Sequence, residues 1–443
     1  MPTDFETVHP RSDEPLSLRR QPGFLGFLLS RLFAVFAMQI QGVVVAWQVY
    51  DITRDPISLA YVGLAQFLPM VALLLPAGDL VDRFSRKRIL QLSWGVQAVC
   101  SGLFLALSMS GTERVVLFYL VLVLYGCARA FTGPTLQSIL PNIVPRSQLA
   151  QAIAINSSIM KVAVIGGPLL GGLLYAFGGS LAYAVCLGAY VLGLILLSPV
   201  PMRYAQQHEA LKQQMLESTA WRRFTAGISY IRHQPIVLGA ISLDLFAVLL
   251  GGVVALLPVY AQEVLHVGPE GLGALRSAIA VGALLMGLYL STYGIKRHAG
   301  FVMFAAVAVF GIANLVFALS TIFWISLLAM LVAGAADMIS VNVRTSLIQL
   351  ATPDEMRGRV SAVNMLFIGS SNELGEFRAG TMASWFGAVP AALIGGVGTL
   401  AVVGVWARLF PALRQVDRFD EASLEAALKA SPQARPSQDA VSR

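Results

Sequence analysis

Apolar runs of about twenty residues, separated by short polar turns, recur along nearly the whole chain. A run of that length crosses a bilayer as a helix rising about 1.5 Å per residue, and in lipid a helix satisfies its backbone polar groups internally. The pattern predicts twelve spans, at roughly 24–50, 58–80, 89–110, 115–136, 152–177, 181–197, 236–261, 272–293, 301–319, 322–339, 360–385 and 389–409. The expected fold is therefore all-α and polytopic, with the helices in two pseudo-symmetric bundles of six.

One interruption is too long and too polar to be a turn. Residues 199–235 hold Arg203, Lys212, Arg222, Arg223 and Arg232 together with Glu209 and Glu217. Within them Trp221, Phe224, Ile228 and Ile231 recur at helical spacing, which predicts an amphipathic helix on the inner membrane surface or, failing that, a solvated linker. The expected organisation is a tail at 1–22, bundles at 23–198 and 236–410 with this linker between them, and a second tail from 411, with a short helix near 422–430. The first tail has no apolar core or cleavage site of a signal peptide.

Composition and charge narrow the class. With 443 residues, 56% hydrophobic and 12% charged, at a mean hydropathy of +0.71, the chain has too little polar material to surround a soluble core of its size. The net charge of +7 comes from Lys and Arg concentrated in alternate loops and in the tails, the signature of the insertion rule rather than of a nucleic-acid surface. Arg83, Arg86, Lys87 and Arg88 sit in the turn between spans two and three, so that turn is assigned to the cytosol and both termini with it. The three cysteines, Cys100, Cys127 and Cys186, are scattered through apolar spans and suggest neither disulfides nor a metal site, and no cofactor is implied. All five histidines fall in loops or tails, and no phosphate-binding loop motif occurs. Neither an enzyme nor a nucleotide-driven pump is expected.

The halves match at a constant offset of 208 residues: Gly126 with Gly334, Arg129 with Asp337, Pro145 with Pro353, Asn156 with Asn364, Gly167 with Gly375 and Gly172 with Gly380. A parallel repeat of six spans puts a substrate site near the midplane, between the halves. Charged groups in hydrocarbon cost about 2.5–3.5 kcal/mol each even on lenient scales, so they mark a wet cavity or paired networks. Arg31, Arg129, Lys161, Arg344 and Arg378 stand against Asp244, Asp337, Glu373 and Glu376. Asp244 is the expected proton carrier, or else the partner of a cation such as Arg31 or Arg129. Glu373 and Glu376, at i and i+3, share a helix face and are candidates for proton or substrate contact, or for satisfying Arg378. Lys161, roughly half-way through the bilayer on span five, is a candidate for substrate contact. Arg129 and Asp337 suggest a pair across the halves that holds a gate.

Gly78-x-Leu80-Val81-Asp82-Arg83-x-Ser85-Arg86-Lys87 resembles the loop between helices two and three of the major facilitator superfamily, with Val81 and Ser85 departing from the usual small residue and glycine. The segment from Gly166 through Gly167, Pro168, Gly171 and Gly172 is similar to the helix-five signature of drug–proton antiporters in that superfamily, and Arg129 with Gly133 to their helix-four element. Longer runs, among them 140–146, 242–247, 255–260, 352–360 and 371–376, look like the bacterial exporter branch that includes the enterobactin exporter and macrolide efflux proteins. The resemblance implies a monomeric, proton-driven exporter of a small organic molecule in the inner membrane, most naturally a catecholate siderophore, with multidrug or macrolide efflux as the alternative. It also implies cargo contacts at Lys161, Arg31 and Arg378, and a cytosolic latch at Gly78, Asp82, Arg83 and Arg86, with Arg357 and Arg359 as its counterpart.

Overall fold

The computed structural model describes residue 18, residues 21–202 and 220–420, and residues 422, 423 and 426. Most of both expected tails, and linker residues 203–219, lie outside the described residues. Helices α1 (Phe24–Thr53), α2 (Ile57–Arg83), α3 (Arg86–Met109), α4 (Val115–Ile139), α5 (Leu149–Ala176) and α6 (Gly179–Leu197) pack on one another. After α7 (Ala220–His233), a second set follows: α8 (Pro235–Gly251), α9 (Pro269–Tyr293), α10 (Ala299–Leu319), α11 (Phe323–Ala351), α12 (Asp354–Phe386), α13 (Ala388–Leu409) and the short α14 (Pro411–Gln415). No strand occurs among the described residues. Ten segments are long and apolar enough to cross a membrane by composition alone. The other two helices of membrane length are α2 and α12, and α12 is too rich in charge to qualify, with Glu373, Glu376 and Arg378 in its interior.

Glycines reveal the repeat physically. A Cβ at Gly126 would lie 2.3 Å from the Gln66 carbonyl oxygen, and one at Gly334 would lie 1.9 Å from that of Ile279, so each glycine lets the fourth helix of its half press against the second. Gly167 meets Gln39 on α1, and Gly375 meets Val248 and Leu249 on α8, the corresponding contact of fifth helix with first. Gly172 meets the Pro269 carbonyl on α9, and Gly380 meets Ala60 on α2 and Pro56 just before it, so both members of this pair cross the seam between the halves. Small residues matter here because lipid is as apolar as leucine, and close backbone approach is what distinguishes a partner helix.

The seam is closed at one end. On the face opposite the α2–α3 turn, Val43, Ala46, Trp47, Tyr50 and Leu59 share a single apolar core with Val253, Leu257, Tyr260, Leu272 and Leu275. Toward the face bearing the α2–α3 turn, hereafter the basic face, the buried residues divide into clusters that each belong to one half. The shared apolar core thus lies at one face, while toward the basic face the halves meet through polar contact, Gln137 Nε2 of α4 lying 3.4 Å from Met365 Sδ of α12.

The amphipathic helix takes a different position from the expected one. Helix α7 packs on the start of α12, with Ile231 buried among Val237, Ile241, Ile348, Val360 and Val363, and Ile228 against them. Gly227 sits where a Cβ would lie 2.8 Å from the Arg359 carbonyl oxygen. The described part of its apolar stripe, Ile228 and Ile231, is covered by the protein's own second half. The side chains of Trp221 and Phe224 lie outside the described residues.

Candidate functional site

Near mid-height, directly beneath the sealed end, a cavity of about 240 Å³ lies between the bundles. Its charged lining consists of Arg129 from α4, Arg276 from α9, and Glu373 and Glu376 from α12; Gln39, Gln41, Gln66 and Tyr125 add neutral polar groups. The glycine contacts described above set these groups in place. Close approach at Gly126 brings α2 against α4, and one turn further along Arg129 Nη1 donates to Gln66 Oε1 at 3.2 Å. Gly167 seats α5 on Gln39, two residues from Gln41, whose Oε1 accepts from Ser101 Oγ at 2.6 Å. Gly375, between the two glutamates in sequence, lets α12 lie against α8.

The far wall depends on a helix break. Helix α8 stops at Gly251, and the chain continues through a 3₁₀ turn at Val254–Leu256 and a π turn at Tyr260–Val264. Exposed backbone groups at this depth need partners. Asn314 Nδ2 donates to the Gly251 carbonyl at 2.9 Å, and Thr399 Oγ1 donates to that of Ala247 at 3.1 Å. The break lets Val254 and Ala255 line the cavity.

Electrostatically the site is balanced and its carboxylates are open. Arg276 and Arg129 both lie within electrostatic reach of Glu376, and Arg129 within reach of Glu373. Neither glutamate has a hydrogen-bond or ion-pair partner among the described residues, and Arg276 Nε is likewise unpartnered. Four acceptor oxygens and two guanidinium forks thus converge on one space. No cluster of metal-ligating side chains occurs among the described residues.

The expected site residues scatter more widely. Glu373 and Glu376 line the cavity together with Arg129. Asp244 does not: it is 5% exposed and forms an ion pair with Arg344, itself 2% exposed, inside the second half. Span ten was expected to end near residue 339, but α11 runs on to Ala351 and carries Arg344 alongside α8, so a partner stands at the depth where Asp244 appeared stranded. Arg378 lies across α12 from the glutamates, near Met382 Sδ at 3.4 Å and against Gly395 of α13. Arg31, half-buried on α1, is outside the lining.

Lys161 also lies outside the cavity, exposed on α5. By helical spacing it falls on the same side of α5 as Ile165, whose carbonyl accepts from Ser277 Oγ at 2.7 Å, and Pro168, which abuts Gly273 of α9. The expected Arg129–Asp337 pair is not formed. Arg129 is turned to the glutamates, and Asp337 has no ion pair among the described residues.

At the basic face, Arg86 Nη1 donates to Asn142 Oδ1 at 2.9 Å, and Lys87 Nζ to the Ser198 and Val200 carbonyls at 2.6 and 2.8 Å. Arg357 Nη2 lies 3.4 Å from the Gln349 carbonyl and Arg359 Nη1 3.4 Å from Met356 Sδ. These contacts each stay within one half. Gly78 faces open space, Arg83 is exposed, and the Asp82 side chain lies outside the described residues. Arg276 escaped the sequence reading, although a single arginine in an otherwise uncharged stretch of span eight was the signal available.

The sealed face has its own polar tie. Tyr50 Oη donates to the Glu263 carboxylate, and Arg54 Nη1 donates to Gln262 Oε1 at 2.6 Å while Nη2 holds Asp51 Oδ1 at 2.6 Å. Both cross-seam bonds join the end of α1 to the π turn after α8. A hydrogen bond to a charged group contributes about 1.5–3 kcal/mol. Tyr50→Phe is therefore expected to raise opening of this face roughly tenfold. The check is labelling of a cysteine placed at Val45, in a background without Cys100, Cys127 and Cys186, by an impermeant maleimide added from that side; an unchanged rate would show that the bond is dispensable.

Two repeated helix bundles with a cavity at mid-height on their seam have the architecture of a membrane transporter of the major facilitator fold. The chain belongs to the Transmembrane secretion effector family, whose model matches residues 14–435. It is 25% identical over 402 residues to the enterobactin exporter EntS of Citrobacter koseri, covering 88% of this chain and 91% of the relative. With the enterobactin exporter EntS of Salmonella paratyphi A it shares 24% identity over 414 residues, 92% and 96% of the two chains. Among solved structures, it resembles a bacterial homologue of the iron transporter ferroportin in an inward-facing state (TM-score 0.65, 19% identity, 88% and 99% coverage). It also resembles the inward-open xylose transporter XylE from E. coli (TM-score 0.63, 16% identity, 91% and 98% coverage).

Proposed function

We propose that this transporter is a proton-driven exporter of a small organic molecule across the bacterial inner membrane, with cargo of the catecholate siderophore kind. The observation that carries the reading is the pair of unpartnered carboxylates, Glu373 and Glu376, facing Arg129 and Arg276 in the cavity at the seam. Carboxylates that lack fixed partners and share one small space are suited to take and release protons, and their place at the seam ties that exchange to the relative motion of the bundles. The names of the relatives support the siderophore assignment.

The basic face, and both termini with it, is the cytosolic side, by its concentration of Arg and Lys. Cargo enters the cavity from the cytosolic side, along the seam between the bundles. At about 240 Å³ the cavity is smaller than the roughly 300–1,000 Å³ of a drug-sized site, so a bulky cargo needs the bundles to part further. When the sealed face opens, the turn around Asp82, Arg83 and Arg86, with Gly78 at its approach and Arg357 and Arg359 opposite, closes the cytosolic side. Asp337 and Arg129 separate or approach in the same motion. The units that rock are residues 23–198 and 236–410, joined by the segment 199–235, and the working unit is a monomer.

A second reading, multidrug or macrolide efflux, is favoured by the largely aliphatic remainder of the lining, including Leu59, Val62, Leu122 and Val254. Inside-out vesicles test the main reading. An imposed pH gradient is expected to drive accumulation of a labelled catecholate siderophore, and an uncoupler to reduce it to the passive level; accumulation indifferent to the uncoupler would remove the proton from the mechanism.

A further inference from the structure

The charges in the cavity select the kind of cargo as well as the coupling ion. Two guanidinium groups, Arg129 and Arg276, and two carboxylates, Glu373 and Glu376, are the charged members of the lining, and with all four ionised they sum to zero. Helix α12 presents both carboxylates. The charged groups facing them are Arg129 from α4 and Arg276 from α9; α2 contributes Gly63 and Gln66, and α8 and α13 add no ionisable side chain to the lining. Asp244 of α8 is committed to Arg344, and Arg378 points to Gly395 of α13.

A Cβ at Gly63 would lie 3.6 Å from Glu373 Oε2 and 3.9 Å from Glu376 Oε2. The absent side chain at Gly63 therefore leaves both carboxylates uncovered on the α2 side. A neutral cavity with exposed acceptors at one wall and exposed donors at the other accepts a ligand that brings donors and acceptors but no net charge. An ion would enter without a counter-charge, at the cost of its hydration.

The direction of transport imposes a second constraint, and here the argument rests on the proton-driven export proposed above. Linkage is reciprocal: if a proton on Glu373 or Glu376 weakens cargo binding, cargo expels the proton by the same factor, and the two move in opposite directions. A cargo whose hydroxyl groups donate to the carboxylates meets that requirement, because protonation removes the acceptor. An anion held by Arg129 and Arg276 has the opposite sign. Protonation of the glutamates would remove a repulsion and release the arginines, so proton and anion would travel together, inward under the prevailing gradient.

We infer that the cavity recognises its cargo as an uncharged, hydroxyl-donating molecule, of which a protonated catechol is the simplest case, with Glu373 and Glu376 as the acceptors and Arg129 and Arg276 on its carbonyl oxygens. Lys161, exposed on α5 and outside the lining, takes no part in this recognition.

Two probes with one ring and different charge separate the possibilities: 2,3-dihydroxybenzamide, uncharged at neutral pH, and 2,3-dihydroxybenzoate, an anion. Each is added to the purified full-length protein in weakly buffered solution with a pH-sensitive dye, and affinity is measured in parallel. The amide is expected to bind at least about tenfold more tightly than the benzoate, a difference of about 1.4 kcal/mol, and to release protons as it binds. Glu373→Gln and Glu376→Gln together should abolish the release, while Arg31→Gln, at a cation outside the lining, should leave it intact. Benzoate binding as tight as the amide, proton uptake on binding, or no binding of the amide overturns the inference. Export itself is scored separately by gradient-driven accumulation in vesicles. A carrier that exchanges protons for some other cargo while ignoring the amide refutes the cargo class alone, whereas loss of gradient-driven transport refutes the underlying reading.

Discussion

Glu373→Gln and Glu376→Gln, made together, are expected to bring transport driven by a pH gradient down to the level of empty vesicles, while protein yield and melting behaviour stay close to those of the parent chain. The reason for the split lies in how the two side chains are held. Neither carboxylate has a partner among the described residues, so replacing it with an amide of the same shape leaves no buried ion stranded within direct contact. What disappears is a group able to change its charge. Two arginines would then face two neutral amides, the cavity would carry a fixed positive charge, and a gradient would have nothing to protonate there.

Either single variant should retain part of the activity if the two glutamates share the proton, and one should retain nearly all of it if only the other carries it. Measuring initial rates of driven efflux beside cargo exchange at equal pH on both sides separates coupling from binding. Full driven transport by the double variant would place the proton site elsewhere in the chain.

The architecture was legible in the sequence because membrane insertion leaves few alternatives. Runs of about twenty apolar residues can only span, and the offset of 208 between Gly126 and Gly334, or Gly167 and Gly375, reflects close helix contacts that recur in both halves. Glu373 and Glu376 could be singled out since two acids one turn apart in hydrocarbon have few structural uses. The sequence could not say which charge faces which. Asp244 looked stranded because its partner is on another helix, a hundred residues later in the chain. Arg378 and Glu376 are two positions apart yet lie on opposite sides of α12, a distinction that rests on which face meets the seam. The expected Arg129–Asp337 pair failed for a related reason. Equivalent positions in a repeat occupy equivalent places in separate bundles, and equivalence alone does not aim their side chains at one another.

The Asp244–Arg344 pair leads to the other large expectation: Arg344→Ala should lower the yield of folded protein severely and destabilise what remains by about 3–5 kcal/mol, the usual result of stripping one partner from a buried ion pair. Asp244 would keep its charge at a site only 5% exposed, with its cation gone. The pair joins α8 to α11, and α8 supplies the broken segment that lines the cavity, so damage here reaches transport through the fold. Replacing both partners with neutral residues of similar volume, Asp244→Asn with Arg344→Met, should recover much of the stability, because a buried pair and a well-packed neutral substitute are often close in free energy.

If the pair is purely structural, the recovered double variant should also regain transport with its dependence on the pH gradient intact. Thermal unfolding of the purified protein, followed by driven efflux at matched protein density, reads the two effects apart. A double variant that folds as well as the parent yet moves cargo only down its own gradient would show that Asp244 takes part in proton transfer through the ion pair, and the pathway would then extend from Glu373 and Glu376 into the core of the second half.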